Sequence, residues 1–338
     1  MKIPFVITLL TLLFTTAQAQ KNVSVSSPDG KVKLNVSLKD KVYFDVESHG
    51  ETLVKEGHVG MKFDKADFST NPVLKSKKVK GVHETVSPVF SLKNAQIDNQ
   101  YTSLVMNMKG GYAIEWRVYD DGLAYRFVTN MKGEVKVLSE DFNIQLTQDT
   151  RLVLQQPKGF KTSCEEEYTN VQSAQWKADD KMSELPLVIA GAKQKIFVSE
   201  FSLFDYPGMF MKGNADNSLS AVHPKVPLEF GDGGDRSVKI LKEADYIAET
   251  EGTRSFPWRY MHITQDDRQM VLNTMPMRLA PESQIADPSW IKTGKTTWEW
   301  WNGSIPYGPD VNFKSGLNLD TYKYFVDFAA KHGLEYIL

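Results

Sequence analysis

The stretch Tyr112-Ala113-Ile114-Glu115-Trp116-Arg117-Val118-Tyr119-Asp120-Asp121-Gly122-Leu123-Ala124-Tyr125-Arg126-Phe127 reads in two halves around an acidic, glycine-containing break. Tyr112, Ile114, Trp116 and Val118 recur at every second position before it, and Leu123, Tyr125 and Phe127 do so after it. Successive side chains of an extended chain point to opposite faces, so a period of two marks a half-buried strand. Asp-Gly suits a tight hairpin turn because glycine accepts positive φ. Residues 111–128 therefore predict an antiparallel β-hairpin.

The same grammar extends in both directions. Val32, Leu34, Val36 and Leu38 alternate with Lys31, Lys33, Asn35 and Ser37. Leu185 to Ala190 and Lys195 to Phe201 form another expected hairpin around Gly191-Ala192-Lys193. No 15-residue amphipathic helix interrupts the run from Lys21 to about Trp290. Short strands separated by turns over such a length predict a mostly β fold, a large antiparallel sandwich over residues 20–290.

Near Asp287 the pattern changes. Lys295 to Trp301 is an aromatic-rich, strand-like run, and Tyr322, Phe325, Val326 and Ala329 then fall at helical spacing within Leu319 to Lys331. Asn318 or Asp320 can cap that helix, Gly333 can end it in the left-handed conformation, and Glu335 to Leu338 starts a further strand. Residues 291–338 thus predict a β-loop-α-β unit, whose two strands are parallel neighbours, as at the start of a (β/α)8 barrel. Such a barrel takes about 250 residues, so the chain is expected to be the N-terminal fragment of a longer protein.

Composition narrows the function classes. With 338 residues, 40 Lys plus Arg against 42 Asp plus Glu, 41% apolar residues and one cysteine, the chain lacks the basic surplus that nucleic acid or anionic lipid calls for, and it has no disulfide framework. Lys2, the apolar run Ile3 to Phe14 and Ala17-Gln18-Ala19 have the form of a secretory signal over residues 1–19, with cleavage before Gln20. The run is shorter than the about 20 residues that span a bilayer, so an exported soluble protein without a membrane span is expected, with Cys164 a free thiol.

Two segments could carry chemistry. Trp298-Glu299-Trp300-Trp301-Asn302 lies at the expected end of the first barrel strand, where alternation would send Trp298 and Trp300 to one face and Glu299 and Trp301 to the other. Trp298, Trp300 and Asn302 are either packing residues or a sugar platform, since aromatic faces suit the apolar faces of sugar rings and a polar tip fixes hydroxyls. Cys164-Glu165-Glu166-Glu167-Tyr168-Thr169 is either a solvated acidic loop or a source of hard oxygen ligands for calcium. The six histidines show no zinc-like spacing, and no G-x-S-x-G, Walker or G-x-G-x-x-G motif is present.

Ser27-Pro28-Asp29-Gly30, Tyr119 to Phe127, Glu165 to Thr169, Thr253 to Arg259, Trp298 to Asn302 and Asn318 to Ile337, taken together and in order, resemble glycoside hydrolase family 97, a family of α-glucosidases and α-galactosidases. The resemblance implies a galactose mutarotase-like β-super-sandwich, a catalytic (β/α)8 barrel and a small C-terminal β domain in a periplasmic enzyme. It implies removal of α-linked glucose or galactose from the non-reducing end of oligosaccharides, with an active-site Ca2+. One calcium ligand of the family comes from the sandwich, in a segment of the form Tyr-Glu-x-x-Tyr-Thr. Glu165 occupies that position here, with Cys164 in place of the aromatic. The general acid, the base or nucleophile and the other calcium ligands belong to later barrel strands, so the catalytic residues are expected beyond Leu338 and the chain by itself is expected to be inactive. Two rival classes share the sandwich: a non-catalytic carbohydrate-binding module, and an aldose mutarotase. The second would pair histidines with a glutamate across the sheet, for which His83, His223 and His262 are widely scattered in sequence.

Overall fold

A computed structural model describes residues 22–89, 93–177, 179–234 and 237–338; the expected signal at 1–19 lies outside the described residues. Contacts divide the chain into two units. Asp98–Pro281 with the chain up to Thr85 forms the first, and Val86–Ile97 with Glu282–Leu338 forms the second. The contact division falls at Pro281, just after the short helix Met275–Leu279, whose Met275 and Leu279 are buried beside Tyr119, Trp258 and Tyr260.

The first unit is built on one 16-stranded sheet, and every register described within it is antiparallel. The quoted hairpin pairs Tyr112–Tyr119 with the start of Gly122–Gln145, Tyr119 opposite Gly122. That second strand runs for 24 residues. Along its length it also pairs with Trp258–Thr264, Ala248–Ser255, Glu51–Phe63 and Ser218–Val222, so most of the sheet is organised around it. A strand of this length bends where its ladder slips: the register against Ala248–Ser255 shifts between Glu251 and Thr253, and Gly133 takes φ +65° at the same level. A Cβ on the facing Gly252 would stand 2.7 Å from the carbonyl oxygens of Gly133 and Met131, which only glycine avoids.

The alternating apolar residues meet in one core. Phe44 stacks on Phe142 at 6.4 Å and tilts against Trp116 at 5.5 Å, although its strand, Val42–Ser48, is not a ladder neighbour of Tyr112–Tyr119. Contact between strands that share no hydrogen bonds means that the sheet folds over itself as two facing layers. Trp258–Thr264 is buried at every residue because its outer face is covered as well. There the Arg117 and Arg126 guanidinium groups lie 4.5 and 4.3 Å from the Trp258 ring, with Glu115 between them accepting from both.

In the second unit, Thr296–Thr297 pairs in parallel with Tyr336–Ile337, and the helix Leu319–His332 connects them. Asn318 caps that helix by accepting the Thr321 N–H at 3.0 Å, and Gly333 ends it at φ +64°. The β-loop-α-β order is as the spacing predicts. The strand itself is shorter than Lys295 to Trp301. Its single two-residue partner supplies ladder bonds only to Thr296 and Thr297, and from Glu299 to Asn302 the chain closes a 3-10 turn, with the Ser304 N–H donating to Glu299 O at 2.9 Å. No helix among the described residues is long and apolar enough to cross a membrane.

Candidate functional site

Glu165 belongs to the first unit, and Trp298, Trp300 and Asn302 belong to the second. Glu165 sits in the loop 156–167 that joins the paired strands Arg151–Gln155 and Tyr168–Gln172. Glu165, Glu166 and Glu167 are all exposed, and their carboxylates make no hydrogen bond or ion pair among the described residues. The loop is nevertheless held at several points. Gln155 donates its side-chain amide to the Glu166 carbonyl, Lys161 reaches Ser237 Oγ at 2.7 Å, and the Thr162 hydroxyl donates to buried Glu184 at 2.7 Å. No cluster of three or more His, Cys, Asp or Glu able to hold a metal occurs among the described residues. Calcium takes six to eight oxygens, so this loop fits as the source of one anionic ligand within a larger set.

The tryptophans are not arranged as strand alternation would place them. The 3-10 turn buries Glu299 to 3% exposure and leaves Trp298, Trp300 and Trp301 at 52, 70 and 77%, with Trp298 and Trp301 edge to face at 5.1 Å. Trp298 and Trp301 therefore share a contact that the expected strand would have denied them. All three indoles are open to a ligand. The Asn302 side chain lies outside the described residues. Alongside the helix of the same unit runs a cleft of about 910 Å³ whose polar lining includes Tyr307, Asp310, Lys323, Tyr324 and Asp327.

One cluster has no local sequence signal. Arg259, fully buried, donates from Nε and Nη2 to the two oxygens of Glu140 at 2.8 and 2.7 Å and from Nη1 to Glu200. The Tyr206 hydroxyl donates to Glu140 at 2.9 Å, and His223 Nε2 lies 3.7 Å from the same carboxylate. Burial opposes the charge on Glu140, but Arg259 outweighs it and holds the carboxyl below its ordinary value. Burial pushes Glu200 up, and it lowers His223 to about 4. The fold thus brings together a histidine and a glutamate that stand far apart in sequence. Their side chains are each 3% exposed, and the Glu140 oxygens are already taken by Arg259 and Tyr206, so the pair is a core network with no room for a sugar.

The comparisons agree with this architecture. Residues 25–281 match the N-terminal model of the glycosyl hydrolase 97 family. A retaining α-galactosidase of Bacteroides thetaiotaomicron is 31% identical over 98% of this chain and 52% of its own length. A probable retaining α-galactosidase of Streptomyces bingchenggensis is 24% identical over 96% and 48%. The chain thus spans about half the length of these relatives. Among solved structures, a variant of a glycoside hydrolase family 97 enzyme from Pseudoalteromonas sp. strain K8 superposes with a TM-score of 0.77 at 19% identity, covering 93% of this chain and 46% of that one. A β-arabinopyranosidase superposes at 0.74 with 20% identity, over 94% and 50%. A sheet threaded by one long strand, a β-α-β unit following it, and a family match over most of the first unit lead to one assignment: the chain belongs to glycoside hydrolase family 97 and contains the family's N-terminal domain.

Proposed function

We propose that this chain is the N-terminal part of an exported, calcium-dependent α-galactosidase that acts with retention on the non-reducing ends of oligosaccharides. The observation that carries the reading is the 31% identity, sustained over 98% of the chain, to a retaining α-galactosidase. In this reading Glu165 supplies one carboxylate to the calcium. The ion, when bound, would stabilise negative charge and orient substrate. Trp298 and Trp300 stack on the sugar, and Asn302 hydrogen-bonds its hydroxyls. Retention requires two carboxyl groups, one protonating the leaving oxygen and one attacking the anomeric carbon. In this reading both come from the catalytic barrel of the longer protein. An α-glucosidase is the second reading, favoured by the panose and acarbose complexes of the Pseudoalteromonas enzyme, which resembles this chain at 18% identity.

The test uses the longer protein that includes this chain. It hydrolyses p-nitrophenyl α-galactoside faster than the α-glucoside, releases α-galactose first by NMR, loses activity to a chelator and regains it with calcium. Glu165→Gln raises the calcium requirement, whereas Glu166→Gln and Glu167→Gln leave it unchanged. A preference for the α-glucoside, or β-galactose as first product, refutes the substrate and stereochemical reading. A calcium effect confined to Glu166 or Glu167 moves the ligand along the loop. Export is tested separately: the protein recovered from the periplasm begins at Gln20, and an intact Met1 there counts against it.

A further inference from the structure

We propose that Glu184 is a positioning residue for the loop that presents Glu165, an inference that rests on reading Glu165 as a calcium ligand. Glu184 is 3% exposed, and its backbone N–H is tied to the Gln155 carbonyl at 3.0 Å, at the end of the strand that leads into the loop. Its Oε1 accepts the Thr162 hydroxyl at 2.7 Å, and Thr162 Oγ1 in turn accepts the Cys164 backbone N–H at 3.0 Å. Its Oε2 is buried without a hydrogen-bond partner. The positioning contact is therefore made by Oε1 alone, through the Thr162 hydroxyl.

What it holds is the turn before Glu165. Cys164 adopts φ +58°, a left-handed conformation that residues with a Cβ adopt at a cost, and the Thr162–Glu184 link lies two residues earlier. One side chain from the segment after the strand pair therefore fixes the loop through a hydroxyl that also holds the Cys164 backbone. Among the described residues the Glu165 carboxylate makes no hydrogen bond or ion pair, so its location follows the backbone that Glu184 anchors.

The experiment has two arms. In this chain, amide hydrogen exchange of loop 156–167 is followed by mass spectrometry; Thr162→Val and Glu184→Ala each speed exchange at the Cys164 N–H, which Thr162 Oγ1 accepts, by about tenfold, and Thr162→Ser does not. In the longer protein, Glu184→Ala and Thr162→Val each raise the calcium concentration for half-maximal activity by about tenfold, and Thr162→Ser restores it. Thr162→Val cuts the link from the exposed side, so the test stands even if Glu184→Ala fails to fold. Unchanged loop exchange in both variants, or a Thr162→Val enzyme with the parent's calcium requirement, overturns the proposal. If Glu165→Gln leaves the calcium requirement unchanged, the ligand reading falls instead, and loop exchange alone decides whether Glu184 holds the loop.

Discussion

Replacing Arg259 by methionine is expected to be among the most damaging single changes in the sandwich. The guanidinium is fully buried and is shared by Glu140 and Glu200, whose side chains are 3% and 10% exposed. Methionine keeps much of the volume but leaves two carboxylates facing each other without a cation. Breaking a buried ion pair from one side costs about 3–5 kcal/mol, a large part of the about 5–15 kcal/mol that holds a typical domain together. The sign of the pH dependence follows from the two folded states. In the parent, Glu140 is held below its unfolded value, so its contribution is present above about pH 4.3 and is lost as pH falls through the folded value. In the variant, burial without Arg259 raises the carboxyls, so their penalty shrinks as they take up protons on acidification. The gap between parent and variant therefore narrows from pH 7 to pH 5. Urea unfolding followed by the fluorescence of the buried Trp116 and Trp258 measures it at both values. Adding Glu140→Gln to Arg259→Met recovers part of the loss. A deficit below about 1 kcal/mol at pH 7, or one that grows on acidification, refutes an ion-pair role.

Three further outcomes are expected. The parent itself loses stability between about pH 6.5 and about pH 4, by about 3 kcal/mol at most, because His223 is neutral when folded and takes up a proton when unfolded; His223→Gln flattens that limb of a stability-against-pH curve. Gly122→Ala unfolds the hairpin at 25 °C, since a Cβ there would stand 2.1 Å from the Met261 carbonyl oxygen at a φ of +149°, and loss of the near-UV circular dichroism band reports it. Asn318→Ala removes the helix cap and costs about 1 kcal/mol locally, which hydrogen exchange in Leu319–His332 detects without any change in the sandwich.

Strand content, the Asp-Gly hairpin and the helix limits at Asn318 and Gly333 were legible in the sequence, because alternation, turn chemistry and capping act between residues a few positions apart. The exposed acidic loop and the tryptophan cluster were visible as composition. The tertiary structure decided where the first strand of the second unit stops: ladder bonds come from a partner strand 40 residues away, and a partner of two residues holds only Thr296 and Thr297 while the tryptophans turn away. It also decided the 24-residue length of Gly122–Gln145, since each new partner along that strand extends the ladder past the point where local signals end. Arg259 meets Glu140, Glu200, Tyr206 and His223, and Glu184 meets Thr162, only across a folded sheet. Long-range charge pairing leaves no periodic trace in sequence, so the sequence by itself determined the strands and their family, and the folded sheet determined which charges share its interior.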